Sequence, residues 1–196
     1  MANTSQIVAA SLDESISVKR LVREQLAAGI VSAGDLLVDS LRSGGKVILF
    51  GNGGSAADAQ HLAAELIGRF ETERRSLPAL ALTTDSSALT AIGNDYGYEF
   101  VFSRQVEGLA RAGDVAIALS TSGASVNVAA AAKRCAELGV STIALTGQDG
   151  GIVAEACALA LCVPSARTAR IQEAHITIGH VLCEIIDSEL TAARGD

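Results

Sequence analysis

Two Gly/Ser segments and two histidine-bearing helical stretches hold the residues of this chain that could do chemistry. Gly51-Asn52-Gly53-Gly54-Ser55 and Ser120-Thr121-Ser122-Gly123-Ala124-Ser125 each follow a short apolar run and each open a predicted helix. Backbone N–H groups at a helix N-terminus carry partial positive charge, glycine lets the chain approach a ligand, and Ser/Thr hydroxyls add donors without formal charge. Such loops suit phosphate, and the hydroxyls of Ser120, Ser122 and Ser125 suit a terminal phosphomonoester. His61 and Glu65 stand four residues apart on the helix after the first loop, so both project from one face. Gln172 and His180 lie eight residues apart on the last predicted helix, a little over two turns. His175, about 140° round that helix from His180, is expected to face elsewhere. Two imidazoles, a carboxylate and an amide could form a mixed N/O site for a divalent metal such as zinc. Alternatively, Glu65 and His180 could act as a proton-transfer pair.

Other patterns compete with these. Gly51, Gly53 and Ala56 satisfy the G-x-G-x-x-A dinucleotide fingerprint, but the nearest candidate ribose partner, Asp85, lies much farther on than the roughly 20 residues that motif requires. Gly93-Asn94-Asp95-Tyr96-Gly97-Tyr98 reads as a loop after the second strand; Asn94 and Asp95 could hydrogen-bond a polyol, or simply form a turn. Cys135, Cys157, Cys162 and Cys183 form no C-x-x-C pair and mostly sit among apolar neighbours, the pattern of reduced, buried thiols.

The elements that must position these residues emerge from periodicity. After residues 11–42, which read as two helices joined near Ala28 to Ala33 at Gly29 and Gly34, strands and helices alternate. Strands are expected at 46–50, 79–82, 115–119, 142–145 and 159–163. Helices are expected at 55–70, 86–92, 100–110, 125–138, 151–156 and 168–193. Five strands separated by helices predict an α/β fold, a parallel sheet covered on both faces with ligands gathering at the strands' carboxyl ends. At 196 residues the chain fits one domain (1–196), with 1–43 as a helical arm of the kind that packs against another subunit. The core must be aliphatic, since hydrophobic residues make up 49% and aromatic ones only 3%. A net charge of −7 argues against a nucleic-acid partner. No apolar run approaches the roughly 20 residues of a membrane span and no secretory pattern opens the chain, which predicts a cytoplasmic protein.

Read together, the first loop, Asp58-Ala59-Gln60-His61 through Glu65, Gly93-Asn94-Asp95, Ser120-Thr121-Ser122-Gly123 with Ser125, and Ile171-Gln172-Glu173 with His175 and His180 resemble one family over nearly the whole chain. It is the phosphoheptose (sedoheptulose-7-phosphate) isomerase family of the sugar-isomerase (SIS) fold, a flavodoxin-like three-layer sandwich. The resemblance implies interconversion of sedoheptulose 7-phosphate and D-glycero-D-manno-heptose 7-phosphate through an enediol, the first step toward nucleotide-activated heptose. It also implies a homotetramer with active sites between subunits. Carried onto matching positions, it implies substrate contacts from Asn52, Gly53, Gly54, Glu65, Asn94, Asp95, Ser120, Thr121, Ser122, Ser125 and Gln172. It implies zinc ligands in His61, Glu65, Gln172 and His180, and catalysis by Glu65 and His180. Replication-initiator-associating proteins, which are binding modules, share the fold and stretches such as Phe70-Glu71-Thr72-Glu73-Arg74. They depart from the catalytic pattern at the positions of Glu65 and His180, both present here.

Overall fold

Central strands that are apolar on both faces demand helices above and below, and the chain supplies them. The computed structural model describes residues 3–192; the first two residues of the expected arm and the expected helix end at Ala193 lie outside the described residues. Strands β1 (Val47–Gly51), β3 (Val115–Ser120) and β4 (Ser141–Gly147) are buried almost throughout, with β2 (Ala79–Ala81) and β5 (Leu159–Val163) at the edges. All pairings are parallel in the order β2-β1-β3-β4-β5, with Leu49 opposite Ile117 and Ile117 opposite Ile143. Strand alternation divides the core in two. Leu49, Ile117, Leu119 and Leu145 pack under helices α1 (Thr4–Arg42), α2 (Gly54–Ile67) and α7 (Thr168–Ala192). Ile48, Phe50, Ala116, Ala118 and Ala144 face α4 (Ser103–Leu109), α5 (Val126–Glu137) and α6 (Gly151–Glu155). The remaining helix, α3 (Ser86–Asp95), leads into a short 3-10 turn at Tyr98–Phe100.

The expected pair of N-terminal helices is in fact one helix of 39 residues. Gly29 and Gly34 are contact points, not breaks: a Cβ on Gly29 would lie 2.7 Å from Leu161, and one on Gly34 2.8 Å from Ile185. The second half of α1 therefore packs on β5 and α7, burying Ile30, Leu37, Val38 and Leu41. Its first half leaves Ile7, Val8, Leu12 and Ile16 exposed. The expected helix over 100–110 is likewise divided into the 3-10 turn and α4. All four cysteines are free; Cys135 and Cys183 are buried as expected, while Cys157 and Cys162 are only partly covered.

Helices α2 and α7 run side by side in the same direction. Gly54 meets Gln172 near their starts, Leu62 meets Gly179 at mid-length, and His61 meets His180 alongside. A Cβ on Gly179 would lie 2.6 Å from both Cδ atoms of Leu62, so glycine is what lets the helices approach this closely. Gly179→Ala is expected to lower stability by about 1–3 kcal/mol through overpacking. Urea unfolding measures this, and an unchanged midpoint would contradict the close contact.

Candidate functional site

The two Gly/Ser loops stand side by side because β1 and β3 are neighbours. Gly51 is opposite Leu119 in register, and between these strands the sheet order reverses, the place where open α/β sheets bind ligands. Gly53 turns the chain into α2 with φ of +56°, a region that favours glycine, and no side chain caps that helix. The amides of Asn52 and Asn127 exchange two hydrogen bonds: Asn52 Nδ2 donates to Asn127 Oδ1 at 2.8 Å, and Asn127 Nδ2 donates to Asn52 Oδ1 at 2.9 Å. The Tyr98 hydroxyl also donates to Asn52 Oδ1, at 3.2 Å. The first loop is thereby tied to α5, the helix that the second loop opens.

In the second loop the Ser120 and Ser125 hydroxyls lie 2.9 Å apart. Ser125 occupies the N-cap of α5, yet its side chain caps no backbone N–H. By contrast, Asp85 caps α3 through the Ala88 N–H at 2.9 Å. An uncapped N-terminus flanked by hydroxyls is a site for an anion. Ser122 is exposed, its hydroxyl accepting from the Ala124 N–H, and Thr121 is half-buried. Gly123 holds the loop down: with φ of +67° it packs on the Gly150 carbonyl where a Cβ would clash.

Farther along α2, His61 Nε2 lies 2.9 Å from His180 Nε2 and 3.3 Å from Glu65 Oε1. One ligand atom from each of the three falls within 4.8 Å of the others. Two imidazole nitrogens and a carboxylate oxygen, partly open to solvent, are a donor set that suits zinc. The Phe70 ring packs against His180 with centroids 5.4 Å apart. Gln172 stands apart from this cluster, at the start of α2. Its amide packs directly against Gly54, where any Cβ would collide with it, and lies near Asp58. Within one chain the structure thus gathers three of the four expected metal ligands, with Gln172 beside the first loop.

Asn94 and Asp95 are not in a loop. Asp85 starts α3 firmly enough for it to run through Gly93 to Asp95, and Gly97, with φ of +103°, lies just past its end. Their exposed side chains bond one another, Asn94 Nδ2 donating to Asp95 Oδ1 at 2.8 Å.

Three residues beside these loops and helices, Asn127, Tyr98 and Asp58, are given no role by the motifs, although Tyr98 and Asp58 lie within them. Asn127 and Tyr98 carry no local signal, because their partner Asn52 is distant in sequence. Asp58 is readable, standing four residues after Gly54 and three before His61 on one stripe of α2. Burial pushes its carboxyl above the usual range, against the opposing influence of His61 and the Gln172 amide, and its Oδ2 has no hydrogen-bond partner.

A family model for the SIS domain matches residues 12–147. A phosphoheptose isomerase from Aquifex aeolicus is 57% identical over 174 residues, covering 89% of this chain and 91% of that protein. One from Roseiflexus is 55% identical, covering 91% of each. Among solved structures, a phosphoheptose isomerase from Neisseria gonorrhoeae superimposes with a TM-score of 0.90 at 50% identity, covering 95% of this chain and all of that one. Another from Francisella tularensis gives a TM-score of 0.92 at 38% identity, with the same coverage.

His175 faces away from the His61–Glu65–His180 cluster, as its position on α7 predicts. It is fully buried, its Nε2–H donating to the Thr146 carbonyl at 3.0 Å, and its Nδ1 has no partner. Burial pushes its imidazole from 6.5 down to about 4, against the pull of that hydrogen bond. The unfolded chain therefore takes up a proton near pH 6.5 that the folded chain refuses until about pH 4. Stability from this group is complete above the higher value and falls through that window, by about 3 kcal/mol in all. His175→Gln, which retains a donor for Thr146, is expected to flatten the decline in unfolding free energy between pH 6.5 and 4.5. An equal decline in the variant and the parent chain would contradict this.

Proposed function

Because the chain belongs to the phosphoheptose isomerase family of SIS-domain proteins, we propose that it interconverts sedoheptulose 7-phosphate and D-glycero-D-manno-heptose 7-phosphate, in the cytoplasm, as the first step toward nucleotide-activated heptose. The observation that carries this reading is the convergence of His61 and Glu65, on the helix that begins at the first Gly/Ser loop, with His180 of α7. Aldose–ketose isomerisation needs an anchor for the phosphate and two proton-carrying groups beside the carbonyl carbons; the second loop offers the first, and Glu65 and His180 offer the second.

The hydroxyls of Ser120, Ser122 and Ser125 and the open N-terminus of α5 hold the phosphate. Asn52, Gly53, Gly54, Thr121 and Gln172 line the sugar chain, and Asn94 and Asp95 bind hydroxyls at its rim. Glu65 removes the proton from the carbon beside the carbonyl, forming the enediol, while His180 donates a proton to the carbonyl oxygen and assists ring opening. Glu65 then returns its proton to the neighbouring carbon and His180 recovers one from the other oxygen, so no net proton is consumed. Alternatively, His61, Glu65 and His180, with Gln172 as the expected fourth ligand, would hold a zinc ion, which would supply Lewis-acid polarisation of the carbonyl in a state in which Glu65 and His180 are not free to carry protons.

The same reading makes the chain a homotetramer with 1–43 as the assembling arm. Ile7, Val8, Leu12 and Ile16 leave the first half of α1 apolar and exposed, and Val22, Val31, Val181 and Ile185 line an apolar groove between α1 and α7. Leu12→Glu with Ile16→Glu is expected to reduce the size measured by light scattering. A parent chain that is already monomeric would contradict the assembly.

Turnover of sedoheptulose 7-phosphate tests the activity. Glu65→Gln and His180→Gln are each expected to lower kcat by about 100-fold or more, in the range of general acid–base contributions. Ser120→Ala is expected mainly to raise KM. A folded parent chain without turnover would favour the binding-module alternative; normal turnover in both Gln variants would remove the proton-transfer assignment. Metal content measured on the parent chain and His61→Ala reports on zinc separately.

A further inference from the structure

The Phe70–Arg74 stretch lies outside the reacting groups Glu65 and His180, yet its connections run to both of them. The Arg74 side chain is almost wholly buried, 4% exposed, and its guanidinium closes the C-terminus of α2. Nη2 donates to the Glu65 carbonyl and Nη1 to the Leu66 carbonyl, each at 2.9 Å. These are among the last carbonyls of the helix, which have no partner within it, and a cation there also complements the helix dipole. The third nitrogen, Nε, donates to Asp187 Oδ1 of α7 at 2.5 Å, and Nη1 also donates to the Arg75 carbonyl at 3.2 Å. The other oxygen of Asp187 accepts the Glu71 and Thr72 N–H groups at 3.2 and 3.1 Å.

One carboxylate therefore fixes both the guanidinium that holds the Glu65 backbone and the loop that carries Phe70. Asp187 stands seven residues after His180, two turns along nearly the same face of α7. From there it holds the loop in the place where the Phe70 ring lies on the His180 imidazole, at an interplanar angle of 31°.

We infer that Arg74 and Asp187 are positioning residues that set the placement of Glu65 and His180 relative to one another, Arg74 through the Glu65 carbonyl and Asp187 through Phe70. The hydrogen bonds of their side chains reach neither Gly/Ser loop. Their effect falls on the step in which both groups act and little on binding at the phosphate end.

The kinetic arm of the test rests on the isomerase reading, so a second arm is independent of activity. Asp187→Asn and Arg74→Lys are compared with Lys46→Met. Lys46→Met removes the Lys46–Asp114 pair, which stands at the opposite, amino ends of the strands. All three variants are assayed well below their unfolding temperatures. Asp187→Asn and Arg74→Lys are expected to lower kcat at least about tenfold with KM within about threefold, as a small misplacement of reacting groups does. Lys46→Met is expected to leave kcat unchanged despite its loss of stability. Arg74→Lys, still a cation able to donate, is expected to retain more activity than Arg74→Met.

The chain contains three histidines, so a carbon-13 spectrum of histidine-labelled protein can be assigned by single replacements. The His180 ring signals are expected to move in Asp187→Asn in the direction they move in Phe70→Leu, while those of His175 stay in place. His180 signals that remain at the parent position in Asp187→Asn, or kcat within twofold of the Lys46→Met control, would overturn the inference. A parent chain without turnover would instead remove the isomerase reading, and the His180 signals would still decide this one.

Discussion

The site depends on how closely α2 and α7 can approach. At their starts the absence of a side chain on Gly54 admits the Gln172 amide; at mid-length Gly179 admits Leu62. These contacts set the axial register of two parallel helices, and the register brings His61 and His180 within 2.9 Å of one another. Beyond the histidines, the Arg74–Asp187 pair ties the end of α2 to α7. A buried ion pair of this kind adds little net stability against well-packed apolar side chains, but removing either partner leaves an uncompensated charge. Its value here is geometric. Polar and glycine contacts alternate along the interface, each tolerating one alignment of the helices.

The sheet performs a second alignment. Apolar side chains alternate between two cores, so a slip of one residue in β1 or β3 would exchange Leu49 with Phe50 and turn the buried set outward. With register fixed, Gly51 and Ser120 end neighbouring strands, and the Asn52–Asn127 pair joins the first loop to the start of α5. The second loop thus presents its hydroxyls at the sheet's carboxyl edge, and α2 leads from the first loop to the histidine cluster. A phosphorylated, extended polyol has that division of chemistry, with a charged end and a reacting end.

Much of this was legible in the sequence, for identifiable reasons. The strands announce themselves because burial on both faces produces uninterrupted apolar runs such as Val47-Ile48-Leu49-Phe50. The His61/Glu65 pair is visible because helical spacing is a local property. Gly29 and Gly34 misled because a glycine that ends a helix and one that admits a neighbour look identical in sequence; only Leu161 and Ile185 distinguish them. Asn94 and Asp95 misled in a similar way, since turn-forming residues also serve at the end of a helix whose start is well capped. The role of Arg74 was hidden because Asp187 is 113 residues away, and the link between Asn52 and Asn127 because 75 residues separate them. Gln172 marks the boundary between the two cases. Its place on the helix face was readable, but its partner, the start of α2, was set by packing.

A crystal structure of Glu65→Gln with sedoheptulose 7-phosphate bound tests the central claim most directly. The account predicts the phosphate among the hydroxyls of Ser120, Ser122 and Ser125, with the carbonyl carbons lying between residue 65 and His180. A phosphate seated away from the second loop, or a sugar whose carbonyl end reaches neither residue 65 nor His180, would contradict it.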